Sequence, residues 1–423
     1  MPPNVKEFSY KWRMLGLLTF SYFLMQGARQ VFNVSLPDVK AALPGASDAQ
    51  WGLVRTVFLV AYGLCVPLAG IAADVFRRKW VLVAGVTLLS ASLFATGFAA
   101  DFIWVLIAYG VFNGIGQCML PASASSLIAQ HHVETRSRAL SIYQAGSYLG
   151  VIVPSVVAGW LCGLAADGWR NAYRLFGLCG LVLVVLLVFF VRDTPPLASG
   201  EKGSRASLRE ACLALVTRPT AILLAVAFGM VVFGSNGFHT FIPLFLRSAA
   251  ADGGFALGAG TAAFHGEFWF CMGSFSGIAL GAWLSDRFAG KRPAARLAVM
   301  ATGLLLAAVA MPTMVHMPCL ALCCLAMLVF GFGQGLFDCS LFAGLFEVVA
   351  PRYRSSATGE YLCFAFLIGC PATVVLGYVG SHFGYRLGLA LFGGAYAAGA
   401  VAILVAKAFF FNGDHARALT ETV

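Results

Sequence analysis

The sequence predicts an all-α membrane protein of twelve transmembrane helices in two pseudo-symmetric six-helix bundles. Three observations predict it. First, the 423 residues are 60% hydrophobic and only 11% charged, with a mean hydropathy of +0.84; a soluble domain carries about 25% charged residues. Second, the chain contains twelve apolar runs near the ~20 residues that cross a bilayer. Third, short motifs of the first half return, in the same order, in the second.

The runs lie at 14–36, 51–73, 80–99, 103–127, 138–163, 170–191, 219–246, 265–285, 294–313, 318–347, 355–380 and 384–407, and are numbered here spans 1 to 12. A membrane barrel would show alternating segments of about ten residues, so these long continuous runs read as helices. Span 1 follows Lys11 and Arg13, as a signal peptide would. It is too long, and no small-residue cleavage site follows, so it reads as a retained first span. The longest polar stretch, 192–218, follows span 6. It separates an N-terminal bundle (1–191) from a C-terminal bundle (219–423) as a central loop. Within it SLREACLALV (207–216) has the pattern of a short surface helix.

The formal charge of +10 could suggest nucleic acid, but its distribution argues otherwise. With the N-terminus in the cytoplasm, 21 of the 28 Lys and Arg fall on that side and 5 on the other, and Arg29 and Arg55 lie inside spans. Such a split orients the chain with both termini cytoplasmic. The compact central loop fits a bacterial inner membrane. Partners are therefore a lipid bilayer and a small molecule, with no nucleic acid and no protein partner implied. Of the twelve cysteines only Cys212 lies away from the spans. They read as small packing residues, so no disulfide, metal or cofactor is expected.

The internal echoes are specific. GIGQCMLP (114–121) in span 4 returns as GFGQGLFD (331–338) in span 10. Both precede an acid and a basic cluster, ETRSR (134–138) and EVVAPRYR (347–354). GWRNAYRLFG (168–177) returns as GYRLGLALFG (384–393), and GIAADVFRRK (70–79) as AWLSDRFAGK (282–291). Repeated halves of this kind are the mark of secondary transporters.

GIAADVFRRK also resembles the signature G-x-x-x-D-x-x-G-R-R/K of the major facilitator superfamily. Gly70, Asp74, Arg78 and Lys79 match, and Arg77 stands where the glycine belongs. The resemblance extends over the whole chain and implies the major facilitator fold with alternating-access transport. The first 140 residues look most like the anion:cation symporter and organic anion (sugar acid) branch, or sugar-phosphate antiporter relatives. Three features carry that likeness: ARQVFNVSLP (28–37), the Phe58 to Tyr62 spacing, and GIGQCMLPA (114–122). Two departures bear on coupling. Ala28 stands where that branch commonly has an acid, and Gln117 where it has a glutamate, so proton coupling through those acids is absent.

Ionisable residues inside spans are costly and mark function. Arg29 lies about halfway along span 1, and a guanidinium fork suits carboxylate or phosphate. It reads as the anion contact, with a structural ion pair, for example with Asp338, as the alternative. Gln30 follows, and Asn33 shares the face of Arg29. Tyr62, Asn113, Gln117, Tyr143, Gln144, Asn236 and Gln334 are neutral polar groups suited to a hydroxylated ligand, or to bridging helices. Asp338 and His239 are the candidates for a titrating, ion-coupling role; the alternatives are a permanent salt bridge for Asp338 and a hydrogen-bonded packing histidine, the preferred reading, for His239. Arg55 reads as snorkelling, with a binding role as the alternative, Glu267 as an outer-rim residue and Glu360 as a gate member. The cytoplasmic gate itself is Asp74, Arg78, Glu134 and Arg138, mirrored by Asp286, Glu347 and Arg354, where partly desolvated ion pairs would lock a closed state.

These features point to a secondary transporter of a small organic anion, a sugar acid or related carboxylate, with proton symport through Asp338 as the first reading. The alternatives are exchange or facilitated transport, and a multidrug or neutral-sugar transporter in which Arg29 pairs internally. An intramembrane enzyme is disfavoured: the chain has no HExxH, no GxSxG and no paired catalytic acids, and His131 and His132 have no further ligands nearby.

Overall fold

The computed structural model describes residues 5–132, 135–192, 216–250, 253–289, 294–349 and 354–420. It is all-helical. Span 1 is one helix, Val5–Ala42, longer than its apolar run at both ends. Span 2 is Asp48–Val75, started by a reciprocal cap in which Ser47 and Gln50 each hydrogen-bond the other's backbone N–H. Span 3 is Arg78–Thr96. Span 4 begins as Phe102–Val105, passes through a π-helical stretch, Leu106–Asn113, and ends as Gly114–His131. Spans 5 and 6 are Arg136–Leu164 and Gly168–Phe190. Spans 7, 8 and 9 are Pro219–Arg247, Ala259–Ala289 and Ala295–Val315.

Spans 10 to 12 are interrupted where the sequence suggests continuous runs. Span 10 is Leu320–Asp338, followed by the short Leu341–Phe346. Span 11 is Arg354–Gly369 and Ala372–Phe383, divided at Pro371, which has no N–H to give the helix. Span 12 is Tyr385–Val405 and runs through a π turn, Ala406–Phe410, into Phe411–Thr420. The expected surface helix 207–216 and most of the central loop lie outside the described residues.

Among the described residues, eleven helices are long and apolar enough to cross a membrane. Span 1 is not in that set, because Gln26, Arg29, Gln30 and Asn33 interrupt its apolar run. The side-chain distribution suits lipid. In span 6, Trp169, Tyr173, Phe176, Leu183 and Leu187 are buried, while Leu175, Leu178, Val182, Val185 and Phe189 are exposed at helical spacing. A water-facing helix would put charge on that outer stripe.

The chain divides into two compact units, residues 1–201 with 258–264, and residues 202–257 with 265–423. In the first, small residues bring spans 1 and 5 into contact. A Cβ at Gly150 would lie 2.5 Å from the Phe23 carbonyl oxygen. Pro154 leaves span 5 unbroken, and its ring packs against Gly27. Phe32, Phe58, Tyr109, Trp169 and Tyr173 fill the interior. In the second unit the buried aromatics are Phe238, Phe241, Phe245, Phe330, Tyr361 and Tyr396.

The C-terminal segment Phe411–Thr420 returns to the second unit's helix ends. Asp414 Oδ2 accepts the Thr220 backbone N–H at 2.9 Å, satisfying a donor that the first turn of span 7 leaves open. His415 Nδ1 lies 2.8 Å from the Glu347 carbonyl oxygen. Arg218 donates to the carbonyl of Val348.

Candidate functional site

The first unit assembles its site from spans 1 to 4. Arg29 Nε donates to Gln117 Oε1 at 2.8 Å. Gln117 Nε2 donates to Asn113 Oδ1 at 2.6 Å, and Asn113 Nδ2 to Ser92 Oγ at 2.9 Å. The Tyr62 hydroxyl also hydrogen-bonds Arg29. Four of the residues singled out in the sequence (Arg29, Tyr62, Asn113 and Gln117) therefore form one network. Among the described residues no carboxylate pairs with Arg29, so its charge is held by neutral partners alone.

Aromatic faces complete the surroundings. The Arg29 guanidinium carbon stands 5.2 Å from the Tyr62 ring centre and 5.5 Å from that of Phe58. Arg55 stands 4.7 Å from the same Phe58 ring, within cation–π range. Arg55 does not snorkel: it is only 4% exposed and its Nη1 lies 3.4 Å from the Tyr109 hydroxyl. Tyr109 in turn donates to the carbonyl of Ala28, beside Arg29. Two guanidiniums gathered on one ring repel each other and make the site attractive to an anion. The sequence reading missed Tyr109 as a member; its position four residues before Asn113 was the available signal.

The other expected residues of this unit separate. Asn33 donates to Gln30 at 3.2 Å, so these two partner each other. Tyr143 stacks on Tyr22 at 4.6 Å, and its buried hydroxyl has no hydrogen-bond partner among the described residues. Gln144 is exposed. At the end of span 4, His132 is buried between the Lys11 carbonyl, 3.0 Å from Nε2, and the Thr135 hydroxyl, 2.9 Å from Nδ1. Burial holds its imidazole below the ordinary histidine range.

In the second unit Gln334, the echo of Gln117, takes the same kind of place. It accepts from the Tyr396 hydroxyl at 2.8 Å and hydrogen-bonds Asp338 one turn along its own helix. Asn236 donates to the Val232 carbonyl at 2.8 Å. His239 faces Glu267 across spans 7 and 8, with Nδ1 2.9 Å from Oε2. Glu267 is thus not an outer-rim group: its side chain is fully buried. Glu360 is buried, and neither of its carboxyl oxygens has a hydrogen-bond partner among the described residues.

Of the proposed gate, the side chains of Asp74, Glu134, Asp286 and Arg354 lie outside the described residues. Arg78 is nearly buried, and Arg138 is exposed with its guanidinium over the Trp12 ring. Lys79 donates to the Val188 carbonyl at 2.7 Å, at the end of span 6. Glu347 receives Arg296 and lies 3.6 Å from His415, two partners that the repeat motif did not indicate.

Residues 18–373 match the Major Facilitator Superfamily. The chain is 30% identical to protein spinster homolog 1 of Homo sapiens over 294 residues, 64% of this chain and 53% of that protein. It is 27% identical to protein spinster of Drosophila melanogaster over 309 residues, 70% of this chain and 49% of that one. Over 215 residues it is 27% identical to a sphingosine-1-phosphate transporter of Mus musculus, covering 48% of this chain and 38% of that protein. The chain spans about half the length of the curated relatives it matches. A crystal structure of a bacterial homolog to the human lysosomal transporter Spinster, inward-facing and unoccupied, superposes with a TM-score of 0.78 at 22% identity, over 98% of each chain. A D-xylose-proton symporter superposes at 0.71 with 16% identity, over 95% of this chain and 98% of that one. Likenesses at these identities show the fold. The chain belongs to the Major Facilitator Superfamily, and the relatives found are of the spinster type, not specifically of the anion:cation symporter branch that its first 140 residues resemble.

Proposed function

We propose that this Major Facilitator Superfamily transporter moves a small organic anion by alternating access, with Arg29 as the contact for the anionic group. One observation carries the reading: Arg29 sits in a membrane helix beside Gln117 and Tyr62, with no carboxylate paired to it among the described residues. An internal ion pair, which a neutral-substrate transporter would require of this arginine, has no support from its neighbours. Asn113 and Gln117, in the same network as Arg29, supply neutral polar contacts to the rest of the ligand; Gln30, Asn33, Tyr143, Gln144, Asn236 and Gln334 stand apart from that network.

The anion is a carboxylate such as a sugar acid, or a phosphate monoester on an apolar chain. The second class is favoured by the name of the mouse relative, a sphingosine-1-phosphate transporter, and by the aromatic wall of Phe58 and Tyr62 next to the cation. Transport is driven by protons through the C-terminal half, where Asp338 and His239 are the coupling groups. Asp74, Arg78, Glu134 and Arg138 are the gate residues of the first half, mirrored in the second half by Asp286, Glu347 and Arg354. The chain lies in a bacterial inner membrane with both termini cytoplasmic.

Melting of the purified chain tests the substrate class. A ligand at 100 times its Kd raises folded-state stability by about 2.7 kcal/mol. Gluconate or sphingosine 1-phosphate should raise the Tm of the wild type and leave Arg29→Ala unmoved. Equal stabilisation of both proteins by xylose or tetraphenylphosphonium, with none by the anions, defeats the anion reading.

A further inference from the structure

Spans 7 and 8 bring together an acid and a base that neither helix announces by spacing. His239 Nδ1 lies 2.9 Å from Glu267 Oε2 and 3.1 Å from Oε1. The Glu267 side chain has no exposed surface, whereas 17% of His239's is exposed. The other ring nitrogen of His239, Nε2, has no hydrogen-bond partner among the described residues. Phe270 stands edge-on to the imidazole at 4.8 Å and Phe238 at 5.2 Å, so apolar rings close the remaining sides.

Ionisable neighbours are few. Cys271, one turn along span 8, lies within electrostatic range of Glu267. His265 accepts Trp269 Nε1–H at 3.0 Å and lies 3.6 Å from the Cys324 thiol of span 10. Among the described residues no Lys, Arg or second acid pairs with His239 or Glu267. Were Glu267 ionised and His239 neutral, the pair would carry a charge that no other side chain among the described residues balances, and such a charge is costly in an apolar span. One added proton makes the pair neutral overall.

We propose that His239 and Glu267 form the proton-loading site of this transporter, holding one proton between them and taking it up through His239 Nε2. The proposal rests on the proton-coupled reading above and assigns its coupling step to Glu267 together with His239. In the unloaded pair, Nδ1–H of a neutral imidazole donates to the Glu267 carboxylate. A proton from water bonds to Nε2 and yields an imidazolium facing that carboxylate. The Nδ1–H bond then breaks as Glu267 Oε2–H forms, leaving imidazole with its proton on Nε2. One proton has been gained and one negative charge neutralised; release runs the same steps backwards. The geometry supplies what such a relay needs: Nδ1 on a buried acceptor, and Nε2, without a hydrogen-bond partner among the described residues, on a side chain that is 17% exposed.

The test uses the full chain in proteoliposomes with radiolabelled sphingosine 1-phosphate and gluconate as probes. Two regimes separate coupling from binding: uptake driven by an imposed pH gradient, and exchange of labelled for unlabelled probe at equal pH. In Glu267→Gln and His239→Gln, gradient-driven uptake should fall at least ten-fold, while exchange stays within two-fold of the wild type. Glu267→Asp should recover part of the driven uptake. Driven uptake at the wild-type rate in Glu267→Gln overturns the proposal. Wild-type protein that exchanges neither probe defeats the anion reading instead. In that event the pair is decided without substrate, by nitrogen NMR of labelled histidine, with the His239 signal identified by its loss in His239→Gln. The titration midpoint of His239 should shift by at least one pH unit in Glu267→Gln, and an unchanged midpoint overturns the shared proton.

Discussion

Arg29 on span 1 and Gln117 on span 4, 88 residues apart in the chain, are joined by a 2.8 Å hydrogen bond from Nε to Oε1. A glutamate in the position of Gln117 would turn that neutral contact into an ion pair at the same distance. Charged hydrogen bonds are roughly twice as strong as neutral ones, so the guanidinium would be engaged internally. We expect Gln117→Glu to weaken anion binding at least ten-fold, about 1.4 kcal/mol, read as loss of ligand-induced Tm rise. Gln117→Ala should weaken it less, because Arg29 keeps its charge. Undiminished anion stabilisation in Gln117→Glu would show that Arg29 does not face the ligand.

The approach of spans 1 and 5 depends on a missing side chain. A Cβ at Gly150 would sit 2.5 Å from the Phe23 carbonyl oxygen, whereas at Gly394 in span 12 it would meet nothing within 4 Å. Overpacking typically costs about 1–3 kcal/mol, and replacing an open helical glycine by alanine gains about 0.5–1 kcal/mol. Gly150→Ala should lower the Tm in detergent, and Gly394→Ala should hold or raise it. Equal Tm values for the two variants would contradict the packing.

His132 makes the stability of the first unit depend on pH. Its imidazole is held below the ordinary histidine range by burial, near 6.5 in an unfolded chain. Below that pH the unfolded chain binds a proton that the folded one resists, so stability rises with pH in this window. The Tm of the wild type should fall as pH drops from 7.5 to 5.5, and His132→Gln should fall less over the same range. Parallel curves would assign the acid sensitivity to other groups.

Asp414 caps span 7 from the far end of the chain, accepting the Thr220 N–H at 2.9 Å. Loss of a side-chain cap costs about 1 kcal/mol. Asp414→Ala should lower the Tm by that amount, and Asp414→Asn should retain part of the contact. Proteolysis near residues 411–420 should also quicken in Asp414→Ala. Unchanged Tm and cleavage would show that the C-terminal helix is held by Glu347 and His415 instead.

Much of the architecture was legible without coordinates, since helix spans are local properties. A run of about 20 apolar residues is a membrane helix whatever its neighbours do, and the echoes of span 4 in span 10 exposed the repeat. Charge distribution in the loops set the expected orientation. Arg29 stood out because an ionisable group in an apolar run is costly wherever it points. The sequence alone therefore determined the helical class, the twelve spans, the two repeated halves and the arginine.

Only the tertiary structure decided which polar groups meet. Helix rotation and close packing at residues such as Gly150 set which faces oppose one another, and those contacts join positions far apart in the chain. Arg55 was expected at a surface and lies buried beside Phe58 and Tyr109. Glu267 was placed at a rim because it begins an apolar run, yet the helix Ala259–Ala289 starts earlier and carries it inward to His239. Glu347 took its base from Arg296, in span 9. Hydropathy assigns a residue to a depth; which partner it finds there depends on the angular position of each helix, a quantity that no local pattern fixes for neighbours chosen by packing.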